Sequence, residues 1–223
     1  MYAIVPAYNE APSVGGVVEA LSAAKVFDEV IVVDDSSTDG TADAAAAAGA
    51  TVLRTPRNLG KGGAMLYAYH SALELDGPVA DDRVAFFDAD LLDLRVDHLH
   101  RMARASELGY DQVAGLQEKG DARNVLQVFY SPLITGQRIL RRWVLDALPE
   151  SCWAGYSIET AFNDAVERGG GKTVLVQLDG VSFRKKIDKV GWLDGLRGYW
   201  KMTREIARTR AALQRSEGMS CAL

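Results

Sequence analysis

The sequence is poor in the features that mark several common protein classes. It has only two cysteines, Cys152 and Cys221, and their separation matches no metal-binding or redox spacing. No run approaches the roughly 18 apolar residues that a membrane-spanning helix needs. Lys and Arg number 25 against 30 Asp and Glu, which gives a net charge of -5. This balance argues against a general nucleic-acid-binding protein.

Further absences narrow the classes of nucleotide-binding protein. No Gly-x-Gly-x-x-Gly follows the first predicted strand, so a dinucleotide-binding fold is not expected. Gly60-Lys61-Gly62 lacks the hydroxyl residue that follows the lysine of a P-loop, so a P-loop NTPase is not expected either. Residues 1–6 lead directly into a strand without a signal-like segment, and we therefore expect a protein of the reducing cytoplasm.

What the sequence does contain is a regular alternation of strands and helices in its first half. The pattern predicts strands over Tyr2–Val5, Glu29–Val33, Thr51–Arg54 and Val84–Phe87, and helices over Pro12–Ala24, Thr41–Ala48 and Gly62–Leu75. Because these strands are almost continuously apolar, they predict a mostly parallel sheet with helices on both faces. Ligands of such sheets bind at the carboxyl ends of the strands.

The second half shows a looser pattern and no domain boundary. Helices are predicted over Val96–Glu107, Ile134–Leu148 and Ile158–Arg168, strands over Gln112–Leu116 and Lys172–Leu178, and a long basic helix from Trp192 to about Arg215.

The segment Asp88-Ala89-Asp90 is the most informative polar cluster, because it directly follows a predicted buried strand. Two carboxylates this close repel each other unless a positive charge lies between them. Hard oxygen ligands suit Mg²⁺ or Mn²⁺. An ordinary strand-to-loop turn is the competing interpretation.

Three more polar clusters follow the other early strands: residues 6–10, 34–40 and 57–64. An acid after the second strand can bind a base or a ribose hydroxyl, and glycines with Arg57 and Lys61 at a helix start can receive phosphate oxygens. Each cluster alone also fits a turn, a helix cap or a solvated loop. Together with the acidic pair they fit a nucleoside diphosphate whose far end carries the reacting group.

These four segments, in this order over residues 5–90, resemble the family 2 glycosyltransferases. Within that family they look most like the dolichyl-phosphate mannose synthase and polyprenyl-phosphate glycosyltransferase group, and glucosyl-3-phosphoglycerate synthases share much of the pattern. The resemblance implies an α/β protein with a GT-A fold, whose mostly parallel central sheet is flanked by helices on both faces. We expect one domain over 1–223, with a Rossmann-like nucleotide-sugar half (1–116), an acceptor half (117–190) and a C-terminal helix and tail (191–223).

The resemblance also implies roles for individual residues. Asp35 is expected at the base, Lys61 beside the sugar, and Asp88 with Asp90 on Mg²⁺ or Mn²⁺ at the diphosphate. The full set of expected nucleotide-sugar contacts is Pro6, Ala7, Tyr8, Glu10, Asp35, Lys61, Asp88, Ala89 and Arg184.

The acceptor side is expected to involve two residues of the second half. Glu159 and Asp90 are the two catalytic candidates. Glu159 is the candidate base for an inverting transfer, and Asp164 is the second choice for that role. In the competing interpretation, Glu159 only stabilises the start of its helix, where the helix dipole favours an acidic side chain. Arg138 is expected to bind an acceptor phosphate.

Relatives often carry a histidine near the position of Phe183 as a third metal ligand, and this chain does not. Water or Asp179 would then complete the metal sphere, or Arg184, Lys185 or Lys186 would supply positive charge instead.

The predicted function is transfer of a sugar from a UDP- or GDP-linked donor to a polyprenyl phosphate or to a small phosphorylated or hydroxylated acceptor. Inversion and retention both stay open. The basic and aromatic last helix is compatible with peripheral contact at the inner membrane face, with a homodimer surface, and with simple packing on the sheet. The alternatives are a non-catalytic nucleotide-binding GT-A module and a sugar nucleotidyltransferase, whose usual Gly-x-Gly-Thr-Arg signature is absent.

Overall fold

The computed structural model describes residues 1–76, 82–117, 135–153 and 158–184. The strands are β1 Tyr2–Ala7, β2 Glu29–Asp34, β3 Thr51–Arg54, β4 Arg83–Phe86, β5 Leu91–Leu92, β6 Gln112–Gln117, β7 Arg138–Arg141, β8 Thr173–Leu178 and β9 Ser182–Phe183. The helices are α1 Ala11–Ala24, α2 Thr41–Ala47, α3 Gly60–Asp76, α4 Val96–Glu107, α5 Arg142–Asp146 and α6 Ile158–Arg168, with a 3-10 turn at Glu150–Trp153.

The central sheet has seven strands in the order β3-β2-β1-β4-β7-β6-β8. Neighbouring strands pair in parallel except around β7, which is antiparallel to both β4 and β6. The short strands β5 and β9 form a separate antiparallel pair. The predicted mostly parallel sheet is therefore confirmed.

Both faces of the sheet are buried under helices. On β1, Val5 packs in one apolar cluster with residues of α1 and α4, whereas Ile4 packs in another with residues of α3, α5 and α6. Successive side chains of a strand point to opposite faces. A strand that is covered on both faces is therefore apolar along its covered length, as β1 is and as β2 is from Val30 to Val33.

The prediction of one helix over Ile134–Leu148 is wrong for the segment Arg138–Arg141, which is strand β7. Ile139 joins the α1/α4 cluster and Leu140 joins the opposite one, so the two side chains serve both faces of the sheet. The backbone of β7 bonds to β4 on one side and β6 on the other. These long-range pairings outweigh the local helical preference of the sequence.

The predicted basic helix from Trp192 to about Arg215 lies outside the described residues, and with it the predicted membrane or dimer contact. Within the ranges that the structure describes, no helix is long and apolar enough to cross a membrane.

Candidate active site

The polar clusters that follow β1 and β2 are bound to each other. The backbone N–H of Asn9 donates to Ser37 Oγ at 2.9 Å, and the N–H of Thr38 donates to Asn9 Oδ1 at 2.9 Å. The N–H of Glu10 donates to Thr41 Oγ1 at 2.8 Å. These bonds form because β1 and β2 are parallel neighbours whose carboxyl ends meet at one edge.

Asp35 holds the start of helix α3. Its Oδ1 accepts hydrogen bonds from Thr55 Oγ1 at 2.9 Å and from the N–H of Leu59 at 2.8 Å, and its Oδ2 accepts from the N–H of Gly60 at 2.8 Å. Gly60 has a φ of +75°, a conformation that glycine adopts without strain. Asp35 is only 3% exposed. It thereby fixes the position of Lys61, and its predicted contact with a base stays a prediction.

Lys61 lies between two carboxylates that are distant in sequence. Its Nζ is 2.6 Å from Asp88 Oδ1 and 2.6 Å from Glu159 Oε1. Burial by itself would lower the pKa of Lys61, but the charges and hydrogen bonds of the two carboxylates outweigh burial and raise the pKa above its ordinary value. Lys61 is therefore a permanent cation that joins the expected donor side of the site to the expected acceptor side.

Packing behind the site sets the distance between Asp88 and Glu159. Phe86 on β4 stacks on Phe162 of α6 with ring centroids 5.8 Å apart, and Trp153 meets Phe162 edge-on at 5.6 Å. Asp88 follows Phe86 by two residues, and Glu159 lies in the first turn of α6. The aromatic contacts thus hold the start of α6 against the end of β4.

The opposite side of Asp88 is lined by Gly136 and Gln137. Gln137 Nε2 donates to Asp88 Oδ2 at 2.8 Å. A Cβ on Gly136 would lie 2.3 Å from both carboxylate oxygens of Asp88, so the carboxylate rests directly on the Gly136 backbone. Gly136 falls in a segment that the sequence predicts to be helical, and Arg138 is the predicted site residue there, so the contact of Gly136 with Asp88 is not expected from the sequence.

Arg138 is 1% exposed and bonds to internal partners. Its Nε donates to Thr135 O at 2.7 Å, and its Nη1 donates to Gln112 Oε1 at 2.6 Å and to Asn163 Oδ1 at 2.7 Å. Burial lowers the pKa of Arg138 to about 10, against the opposing charges of Glu159 and Asp88, which leaves it cationic at neutral pH. These contacts link β7, β6 and α6, while the predicted acceptor contact stays a prediction.

Asp90 and Arg184 meet where β5 and β9 pair. The N–H of Arg184 donates to the backbone oxygen of Asp90 at 3.0 Å, and Phe183 lies opposite Leu91 in the strand register. Arg184 Nη1 lies 3.6 Å from Glu10 Oε2. Asp90, Arg184 and Glu10 therefore lie together, while their predicted contacts with a nucleotide sugar stay a prediction.

The acidic pair has the chemistry of a divalent cation site that a substrate would complete. Mg²⁺ commonly binds one or two carboxylates and takes its other ligands from phosphate and water. Within the described residues, no group of three or more His, Cys, Asp or Glu side chains forms a metal cluster. Asp179 is drawn toward Arg101, whose Nη1 is 3.4 Å from Asp179 Oδ2. Asp88 and Asp90 thus fit a cation shared with a diphosphate.

The remaining predicted site residues differ in their accessibility. Tyr8 is 49% exposed, whereas Ala7 and Ala89 are each 3% exposed. Arg57 is exposed, and Asp164 pairs with Arg168 within α6 at 2.9 Å. Tyr8 is therefore free to stack on a planar ligand, and Asp164 points along its own helix.

The chain belongs to glycosyl transferase family 2, whose sequence profile matches residues 2–152. A search of curated protein sequences found no match.

Solved structures with the same fold include a glucosyl-3-phosphoglycerate synthase from Mycobacterium tuberculosis in complex with Mn²⁺, UDP and glucosyl-3-phosphoglycerate. It is 23% identical with a TM-score of 0.76, and the alignment covers 95% of this chain and 78% of that one. The same enzyme with Mn²⁺, UDP and phosphoglyceric acid is 24% identical with a TM-score of 0.75, over 95% and 77% of the two chains. A mycobacterial protein is 23% identical with a TM-score of 0.67, over 82% and 66%. The predicted GT-A fold and the predicted glycosyltransferase class are confirmed.

Proposed function

We propose that this protein transfers a hexosyl group from a UDP-sugar to the hydroxyl of a small phosphorylated acceptor, with Mn²⁺ or Mg²⁺ as cofactor. The observation that carries the proposal is Lys61 between Asp88 and Glu159, at 2.6 Å from each. Asp88 belongs to the acidic pair of the donor side, and Glu159 starts the helix of the acceptor side. Because the chain belongs to glycosyl transferase family 2, we assign this partly buried cation to the sugar donor.

Among the residues that the structure describes, Lys61 Nζ contacts two carboxylates, those of Asp88 and Glu159. An ammonium group has three N–H bonds, and those to Asp88 and Glu159 use two of them. The third is available for an oxygen of the diphosphate or of the sugar. Since Asp35 fixes the start of α3, Lys61 offers this donor from a rigid position.

Negative charge develops on the leaving UDP when the bond between sugar C1 and the phosphate oxygen breaks. A divalent cation on Asp88 and Asp90 would offset this charge when bound. Arg184, held by Asp90 O and facing Glu10, adds a second positive charge on the same side.

Glu159 is the group assigned to the acceptor. As the new bond forms between the acceptor oxygen and sugar C1, the hydroxyl proton must leave, and the electron pair of the broken bond departs with UDP. Glu159 Oε1 is held by Lys61, so Oε2 is the atom that would take this proton in an inverting reaction. In a retaining reaction Glu159 would instead orient Lys61.

The ligands bound in the related solved structures favour UDP and a small acceptor. The glucosyl-3-phosphoglycerate synthase from Mycobacterium tuberculosis was solved with Mn²⁺, UDP-glucose and phosphoglyceric acid, and also with Mn²⁺, UDP-glucose and glycerol 3-phosphate. A polyprenyl phosphate is the competing acceptor from the sequence analysis.

The test measures UDP release from UDP-glucose with Mn²⁺ in three reactions: 3-phosphoglycerate, glycerol 3-phosphate, or a short polyprenyl phosphate in detergent. We expect turnover with a small phosphorylated acceptor and none after Asp90→Asn. Asp93→Asn is the matched control, because Asp93 is an exposed acid three residues further on. Turnover only with the polyprenyl phosphate would overturn the acceptor assignment. A protein that neither binds UDP nor turns over any UDP- or GDP-sugar would contradict the proposed function.

A further inference from the structure

We propose that Gln137 is a positioning residue: it orients the carboxylate of Asp88 so that Asp88 presents Lys61 and the cation site to the nucleotide sugar. The inference rests on the proposed function, and it assigns a role to a residue that does not itself touch the donor.

The amide of Gln137 is held in one orientation. Its Oε1 accepts a hydrogen bond from Gln117 Nε2 at 2.8 Å. It also lies 2.6 Å from Thr135 Oγ1, whose single proton is shared between Gln137 Oε1 and Gly115 O, 2.7 Å away. Its Nε2 is consequently directed at Asp88 Oδ2, 2.8 Å away. Gln137 is 0% exposed, so water does not compete for these bonds. A buried amide whose oxygen is already satisfied has only its N–H groups to offer.

The carboxylate of Asp88 is held at both oxygens and on one face. Oδ1 contacts Lys61 Nζ at 2.6 Å, and Oδ2 accepts from Gln137. The Gly136 backbone fills the space on one side, since a Cβ there would lie 2.3 Å from either oxygen. Rotation of the carboxylate would break the Gln137 bond, so the amide fixes the plane in which Asp88 meets Lys61.

A residue such as Gln137, which hydrogen-bonds to a site residue, matters because a site binds its ligand well only when its own side chains are held in the productive geometry. Removing the partner that orients a metal-binding group typically lowers metal affinity or activity by roughly 10- to 100-fold. We expect a loss of this size for Gln137, and we expect it to act entirely through Asp88.

The test measures UDP affinity in the presence of Mn²⁺ by isothermal titration calorimetry. Gln137→Met keeps the side-chain length and removes the amide contacts with Thr135, Gln117 and Asp88. It should raise the Kd about 10- to 100-fold. In an Asp88→Asn background the same substitution should change the Kd by less than about 2-fold, because there is no longer a carboxylate to orient. Gln177→Met, at an exposed position of β8, is the matched control.

A merely structural role predicts a different result. Ser106→Ala removes a buried hydroxyl that donates to Ala103 O at 2.7 Å, and it provides a destabilised variant for comparison. If the Kd of Gln137→Met is unchanged, or rises equally with and without Asp88→Asn, the inference is wrong. Should Gln137→Met fail to fold, Thr135→Val, which removes one of the two contacts to the amide oxygen of Gln137, must give the same pattern. Failure of the wild-type protein to bind UDP would instead overturn the proposed function.

Discussion

Replacing Lys61 with methionine tests the central ion pairs of the site. Methionine keeps most of the side-chain volume but leaves Asp88 and Glu159 without their shared cation. Glu159 is 7% exposed at its side chain, and Lys61 and Asp88 are each 19% exposed. Two poorly solvated carboxylates would then face each other across the position that the ammonium group occupies.

Breaking a buried ion pair by removing one partner costs about 3 to 5 kcal/mol, because the remaining charge is left uncompensated. The partial exposure of Asp88 lets water offset some of this cost, so we expect a loss of about 3 kcal/mol for Lys61→Met. For a chain of this size that corresponds to a decrease in Tm of roughly 6 to 12 °C. The double variant Lys61→Met with Glu159→Gln removes the second charge and should lose only about 1 to 2 kcal/mol.

The assay is urea unfolding at pH 7, with Lys172→Met as an exposed control that should change stability by less than about 0.5 kcal/mol. A loss below about 1 kcal/mol for Lys61→Met would contradict the reasoning. So would a double variant that is no more stable than the single one. Neither variant should transfer sugar, since both lack the ammonium group assigned to the donor.

Two further predictions concern the support of the site and the outer sheet. Gly136→Ala should weaken Mn²⁺-dependent UDP binding at least about 10-fold, because the new Cβ pushes Asp88 aside. The control is Gly16→Ala, whose Cβ would meet nothing within 4 Å and which should be neutral or stabilising. Equal UDP affinities of the two variants by calorimetry would refute this prediction. Burial would raise the pKa of Asp111, but a backbone N–H and the Trp143 indole outweigh it and hold the pKa below its ordinary value. The resulting stability is present above about pH 4 and is lost as the pH falls through the lowered pKa. Asp111→Asn should therefore cost about 1 to 3 kcal/mol at pH 7 and reduce the acid sensitivity, and parallel wild-type and variant curves of unfolding free energy against pH would contradict it.

Much of the fold could be predicted because its signals are local. The apolar runs within β1, β2 and β4 and the helical spacing between the strands can be recognised from neighbouring residues alone. The helices Val96–Glu107 and Ile158–Arg168 have the predicted bounds. The strand Arg138–Arg141 was missed because its Ile-Leu pair and flanking arginines suit a helix equally well, and only its place between β4 and β6 makes it a strand.

The candidate site also has features that could be predicted from the sequence and features that could not. That the four polar clusters lie at one sheet edge follows from strand order and the parallel arrangement, and the contacts among Asn9, Ser37 and Thr38 agree with it. The partners of individual side chains could not be predicted. Nothing in the local sequence indicates that Gln137 donates to Asp88, because the two residues are 49 positions apart.

The sequence by itself determined the α/β architecture, the glycosyltransferase class and the placement of acidic and basic clusters at the ends of strands. These depend on hydrophobic periodicity and on short motifs, which are properties of adjacent residues. Only the tertiary structure decided that Lys61 contacts both Asp88 and Glu159, although Glu159 is 98 positions from Lys61 in the sequence. It also decided that Arg138 is buried among internal partners. The physical reason is that charge pairing and desolvation depend on which surfaces the packed aromatic core brings within a few ångströms, and no local pattern records that distance.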